Sequence, residues 1–132
     1  MDSECHCTQL RAAARRVASA YDQALEPAGL NVAQFALLRR ISRRDSISLT
    51  QLGELAELDR STVGRNVRVL AREGLVELGS GTDQREAVVA LTRRGRNKLE
   101  QAAPLWKACQ QGIETRVGRE RLRALHEALE RI

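Results

Sequence analysis

The sequence predicts a mainly α chain with a small β-wing: a winged helix-turn-helix carrying N- and C-terminal dimerisation helices. Two short helical patterns stand back to back, Thr50–Leu58 and Asp59–Glu73. A hairpin pattern follows them, with Leu75–Leu78 and Ala87–Leu91 on either side of a polar Gly-Ser-Gly-Thr-Asp-Gln-Arg segment. Longer amphipathic runs bracket this block on both sides.

Leu10, Ala13, Ala14, Val17, Tyr21 and Leu25 recur at helical spacing, and Pro27 and Gly29 then stop that helix. Val32–Arg44 makes a second helix with Phe35, Leu38 and Ile41 turned inward, and Ile47–Leu49 reads as a short strand that pairs with the wing. Asp59 is a good N-cap for the helix that follows it, because its short carboxylate can accept from an orphan N–H of the first turn. Val63, Val67 and Leu70 form one buried stripe there. Gly74 suits a left-handed helix stop, with Leu75 as the apolar contact after it.

Away from that stripe lie Ser61, Thr62, Arg65, Asn66, Arg68 and Arg72. A face with hydroxyls, an amide and arginines but no acid suits the major groove of duplex DNA. There Arg can read guanine, Asn can read adenine, and Ser or Thr can bond bases or phosphates. In the hairpin, Gly79, Ser80 and Gly81 break the strand pattern. Asp83 and Arg85 follow near its tip, where an arginine can enter the electronegative minor groove and Asp83 can hold it extended. The Gly-Ser-Gly is not a phosphate loop, since no Lys-Ser/Thr follows and no βαβ unit surrounds it.

Thr92 caps the next helix, Arg93–Val117, with Leu99, Ala103, Trp106, Gln110, Ile113 and Val117 as its stripe and Pro104 as an expected kink. Arg119–Ile132 is a last helix with Leu122, Leu125, Leu129 and Ile132 on one face. A winged core of about 60 residues cannot cover stripes on all these terminal helices, so a homodimer is expected.

Composition bounds the rest. A chain of 132 residues that is 42% hydrophobic suits one globular domain. No apolar run approaches a membrane span, and the start, Met-Asp-Ser-Glu-Cys-His-Cys, does not read as a secretory signal, so a cytoplasmic location without a membrane partner is expected. The net charge of +5 agrees with an anionic partner, but twenty Arg against two Lys also fits a general arginine preference. Only 2% of residues are aromatic, which argues against single-strand binding by stacking.

The chain resembles the MarR (multiple antibiotic resistance regulator) family of bacterial transcription factors. The residues that carry the resemblance are Gln34-Phe35-Ala36-Leu37-Leu38, Leu52-Gly53-Glu54-Leu55-Ala56, Asp59-Arg60-Ser61-Thr62-Val63, Leu70, Glu73-Gly74-Leu75-Val76, the wing pair Asp83 and Arg85, and Leu91-Thr92 with Gly95. It runs from about Leu10 onward. Gly53 stands where the family usually has Ala, and the wing is sparse in positive charge. The resemblance implies that helices within 8–30 and 93–132 interlock about a two-fold axis and that 31–92 forms the DNA-binding lobe. Two recognition helices would then lie about 34–36 Å apart, and the double-stranded DNA operator would be a pseudo-palindrome. It also implies a small-molecule pocket between the first, second and fifth helices and the DNA-binding lobe, where Tyr21, Phe35 and Trp106 are lining candidates or plain core.

Cys5, Cys7 and Cys109 are not expected to form a permanent disulfide framework in such a setting. They are either a tail pair plus a core residue, or a sensor acting through thiol oxidation or capture of a soft metal or metalloid. In the sensor reading His6 lowers a thiol pKa and a third sulfur, from the partner subunit, completes the site. No cofactor is implied. The leading function is a dimeric transcriptional repressor released by a small-molecule, redox or metal signal. The rivals are a thiol-dependent redox enzyme using Cys5 or Cys7 with His6, and a winged-helix module that binds protein instead of DNA. His126, on the last helix, reads as a surface residue.

Overall fold

A computed structural model describes residues 5–81 and 86–132. Helix α1 (His6–Leu25) passes into a 3-10 turn at Glu26–Ala28 and then into α2 (Val32–Ser42). Strand β1 (Ile47–Ser48), helices α3 (Leu49–Ala56) and α4 (Arg60–Arg72), and strands β2 (Val76–Ser80) and β3 (Ala87–Leu91) follow. The long α5 (Arg93–Val117) and α6 (Arg119–Leu129) complete the order. The sheet is antiparallel in the order β1-β3-β2, with Ile47 opposite Val89 and Leu78 opposite that same Val89.

Each boundary has a local cause. Gly29 takes the left-handed conformation at φ 72° and donates to the Glu26 carbonyl at 2.8 Å, closing the turn after α1. Asn31 and Gln34 form a reciprocal capping box at the start of α2. Its first amide, Val32 N–H, is bound by the Asp22 carboxylate of α1 at 2.8 Å, which ties the two helices together. Ser48 caps α3 by accepting the Gln51 N–H at 3.0 Å. Gly74, at φ 76°, ends α4, and the Leu75 N–H bonds back to the Leu70 carbonyl at 3.0 Å.

The core joins α2, α4, the sheet and part of α5. Phe35, Leu38, Ile41, Ile47, Leu52, Val63, Val67, Leu70, Leu75 and Val89 are all buried. The inward residues expected for α2 and α4 are therefore inward, and β1 pairs with the wing as expected, though it ends at Ser48 because Leu49 opens α3.

Several expectations are corrected. Strand β2 continues through Gly79 and Ser80, which pair with Val88 and Ala87, so these residues lengthen the strand where a break was expected. The helix α2 stops at Ser42, because Arg43 and Arg44 continue only as a turn. On α5 the buried alanine is Ala102, whereas Ala103 is exposed. Pro104 lies inside α5, as the sequence placed it. It removes one N–H donor, and the helix is continuous on either side of it. The last helix, α6, stops at Leu129, so Ile132 lies beyond it. On α1 and α6 the apolar stripes are real but uncovered in the single chain: Leu10, Val17, Leu125 and Leu129 are exposed, and α6 has no buried residue. Among the described residues, no helix is long and apolar enough to cross a membrane.

Candidate nucleic-acid interface

The candidate nucleic-acid surface is built on the α3–α4 corner. Glu57 makes the corner by adopting the left-handed conformation (φ 55°), unusual for a residue with a side chain. The Leu58 N–H then bonds back to the Gly53 carbonyl at 2.9 Å. Gly53 lies under this corner. A Cβ there would stand 3.0 Å from the Leu58 carbonyl oxygen and 3.5 Å from Val63, so the place where Ala was expected is tight.

Asp59 caps α4 through the Thr62 N–H at 2.7 Å. The Ser61 hydroxyl donates to the same carboxylate oxygen at 2.8 Å. These bonds, the Thr62 amide foremost, hold the Asp59 carboxyl below its ordinary range. Arg65 reaches back to the Thr62 hydroxyl at 3.4 Å. The start of α4 is thus a bonded cluster in which the Ser61 proton is already committed. Its oxygen remains free to accept from a base amino group or from a neighbouring donor.

Ser61, Arg65, Arg68 and Arg72 are exposed, Thr62 and Asn66 are half-buried, and Val63, Val67 and Leu70 behind them are fully buried. The helix therefore presents one acid-free polar face on a rigid apolar base. Asp83 and Arg85, the expected wing contacts, lie outside the described residues. The wing is described up to Gly81, whose N–H bonds to the Glu86 carbonyl at 3.0 Å. Arg60, the exposed first residue of α4, adds a further cation at the corner. It lines an open cleft of about 460 Å³ with Leu49, Thr50, Gly53, Glu54, Glu57 and Leu58 on the outer side of the corner.

The MarR family model matches residues 28–86. A DNA complex of the M. tuberculosis transcriptional regulator MosR is 37% identical, covers 96% of this chain and 97% of that one, and superposes with a TM-score of 0.84. The chain belongs to the MarR family. A curated relative from Bacillus subtilis, the HTH-type transcriptional regulator YwoH, is 28% identical over 93 residues, 70% of this chain and 68% of that protein. A MarR variant from E. coli in complex with operator DNA shares the fold, with a TM-score of 0.85 at 21% identity over 94% of this chain and 90% of that one. This MarR-family protein is a DNA-binding transcriptional regulator.

The other residues singled out in the sequence fall into three places. Phe35 and Trp106 stack with ring centroids 5.7 Å apart, and the Arg39 guanidinium lies 4.4 Å over the Trp106 ring. Tyr21 is not part of that group. Its hydroxyl donates to Gln110 of α5, and burial first, then the neighbouring Cys109 and Glu114, push its pKa up. Gln110, a polar residue on an apolar stripe, was the signal for this partner, and the spacing of Phe35 and Arg39 on α2 was the signal for the stack.

Cys5 and Cys7 are exposed at the start of α1, and Cys109 is half-buried on α5. The Thr8 amide first, then that of Cys7, lowers the Cys5 thiol, a helix-start effect in place of the expected influence of His6. Burial raises the Cys109 thiol. Tyr21, beside Cys109, is about 24 Å along α1 from Cys5 at 1.5 Å per residue, so the three sulfurs do not meet within one chain. Among the described residues, no group of three or more His, Cys, Asp or Glu is arranged to hold a metal ion.

Proposed function

We propose that the protein is a homodimeric, effector-responsive repressor that reads a pseudo-palindromic operator through α4. In this reading 31–92 is the DNA-binding lobe and the helices within 8–30 and 93–132 form the dimer. Arg65 and Asn66 read bases, Ser61, Thr62, Arg68 and Arg72 bond bases or backbone, and Asp83 and Arg85 serve the wing. The protein acts in the cytoplasm, by binding and not by catalysis. The observation that carries the reading is the acid-free face of α4 backed by a fully buried Val63–Val67–Leu70 stripe. The DNA-bound state of the 37% identical MosR supports it. The uncovered apolar residues Leu10, Val17, Val117, Leu125, Leu129 and Ile132 support the dimer, because surfaces of this kind mark a partner.

The test combines light scattering with operator retardation across a salt series. A dimer that neutralises about four phosphates per subunit should show a log–log salt slope near −7. A monomer at micromolar concentration, or a slope near zero, contradicts the reading. The signal that releases the DNA has two supported sources. The Phe35–Trp106–Arg39 group supports a small-molecule effector at the α2–α5 contact. The exposed, acidified Cys5 beside Cys7 supports a thiol-directed one. Operator release by peroxide, copper or arsenite, tested on Cys5→Ser with Cys7→Ser, separates the two.

A further inference from the structure

The first turns of α5 carry a second basic surface, turned away from the core. Arg93, Arg94, Asn97, Lys98 and Gln101 line an open cleft of about 520 Å³. Their spacing puts them on one face of the helix. Gly95, Leu99, Ala102 and Trp106 occupy the face that packs inward. Three of its lining side chains reach two other parts of the fold. The Lys98 ammonium stands 3.6 Å from where a Cβ on Gly29 would lie, and Gln101 donates to the Pro27 carbonyl at 3.5 Å. The Arg94 side chain lies 3.8 Å from the corresponding position on Gly74, at the end of α4.

The lining holds three cations and two amides and no carboxylate. Among the described residues, Arg93, Arg94 and Lys98 form no ion pair. The charge is a side-chain property and not that of the helix end, where Thr92 already accepts the Gly95 N–H. Guanidinium forks match the paired oxygens of a phosphate, and an ammonium adds a point charge. The groove is open and lined by one helix, so charge and hydrogen bonding, not enclosure, would hold a ligand there.

We propose that this cleft is a phosphate-binding site for a compact phosphate-bearing anion, separate from the α4 face and from the Phe35–Trp106 stack. The phosphate comes either from duplex backbone flanking the half-site or from a free phosphorylated small molecule. In both cases the anion ties α5 to the turn before α2 and to the end of α4. It therefore biases the angle between the long helix and the lobe that carries the recognition helix.

The test uses the full-length protein, Arg94→Ala/Lys98→Ala, and the charge-matched control Arg43→Ala/Arg44→Ala, which alters exposed residues outside the cleft. Pyrophosphate is titrated calorimetrically without DNA, an arm independent of the DNA-binding reading. Wild type and control should bind it alike, and the cleft variant at least tenfold more weakly. In the second arm operator retardation is measured across salt. A duplex source lowers the salt slope of the cleft variant by about one per lost phosphate contact and makes pyrophosphate a competitor. A free anion leaves the slope intact, and pyrophosphate then shifts operator affinity in wild type but not in the cleft variant. A difference between cleft variant and control in either arm supports the site. Identical behaviour in both arms overturns it.

Discussion

The Thr92 hydroxyl donates to the Gly74 carbonyl at 2.7 Å, so the residue that caps α5 also satisfies the stop of α4. The same oxygen accepts the Gly95 N–H at 3.0 Å, and the Thr92 N–H bonds the Leu75 carbonyl at 3.1 Å. One residue thereby fastens the recognition helix to the long helix of the proposed dimer. Gly95 makes the approach possible, since a Cβ there would overlap the Leu75 carbonyl oxygen and crowd Leu91. Gly95→Ala should destabilise the fold by about 1–3 kcal/mol or more through overpacking. Thr92→Val should cost roughly 1–2 kcal/mol by removing the cap, while Thr92→Ser largely retains it. Denaturant midpoints at constant slope measure these losses, and an unchanged Gly95→Ala midpoint would contradict the contact.

Glu57 is the one described non-glycine residue with positive φ. The left-handed region costs a residue with a Cβ about 1 kcal/mol or more, partly offset by the extra freedom glycine has when unfolded. Glu57→Gly should therefore raise stability by roughly 0.5 kcal/mol. Thermal unfolding of the two proteins at equal concentration checks the sign, and a lower midpoint for the variant would show that the carboxylate has a role the corner geometry does not reveal.

Which features were legible in the sequence depends on the range of the interaction. The bounds of α5 were readable because a Thr cap is a local signal and the apolar stripe runs to Val117, and Val63, Val67 and Leu70 because 3.6-residue periodicity marks a face. The choice between Ala102 and Ala103 was not, since adjacent alanines leave the phase of the stripe undefined. Gly79 and Ser80 joined β2 because pairing with β3 extends through them, a tertiary term that outweighs turn propensity. Tyr21 parted from Phe35 and Trp106 for a similar reason: spacing assigns a residue to a face but does not name the residue across from it. The α4 face was read correctly as acid-free, yet the capture of the Ser61 proton by Asp59 depends on rotamers that no pattern encodes.

Arg65 is pre-positioned by Thr62 on the exposed face of α4. Arg65→Ala should weaken operator binding by about 1–3 kcal/mol per half-site and relax preference at one base position. Arg72→Ala, at the far end of the helix, should weaken all sequences similarly. Selection from a randomised operator distinguishes them, and recovery of an unchanged motif at unchanged strength with Arg65→Ala would refute the base-reading role.

The Asp59 carboxyl is held low by the Thr62 amide and the Ser61 hydroxyl. A carboxyl whose folded pKa is depressed contributes stability above its unfolded value, and that stability is lost as pH falls through the folded value. The contribution should be complete above the ordinary carboxylate range, near pH 4, and fade below it. Asp59→Asn keeps a capping oxygen without the titration. The wild type should lose stability more steeply than the variant on acidification below that range, and the two curves should run parallel above it.

The cysteines carry opposite shifts, and chemistry at the thiolate should separate them. The helix-start amide of Thr8 lowers Cys5, while burial raises Cys109. Only the thiolate attacks an alkylating reagent, so the rate at each site follows its thiolate fraction. At neutral pH Cys5 should label faster than Cys109 for two reasons, exposure and acidity. Exposure changes the rate at every pH by a similar factor, whereas acidity moves the pH at which the rate is half-maximal. Mass-resolved iodoacetamide labelling from pH 6 to 10 should place the Cys5 midpoint below the ordinary thiol value and the Cys109 midpoint above it. Thr8→Pro removes the amide that leads the Cys5 shift and should move the Cys5 midpoint upward without moving that of Cys109. Coincident midpoints in the wild type would show that exposure alone separates the two sites and would remove the electrostatic argument for Cys5 as the responsive thiol.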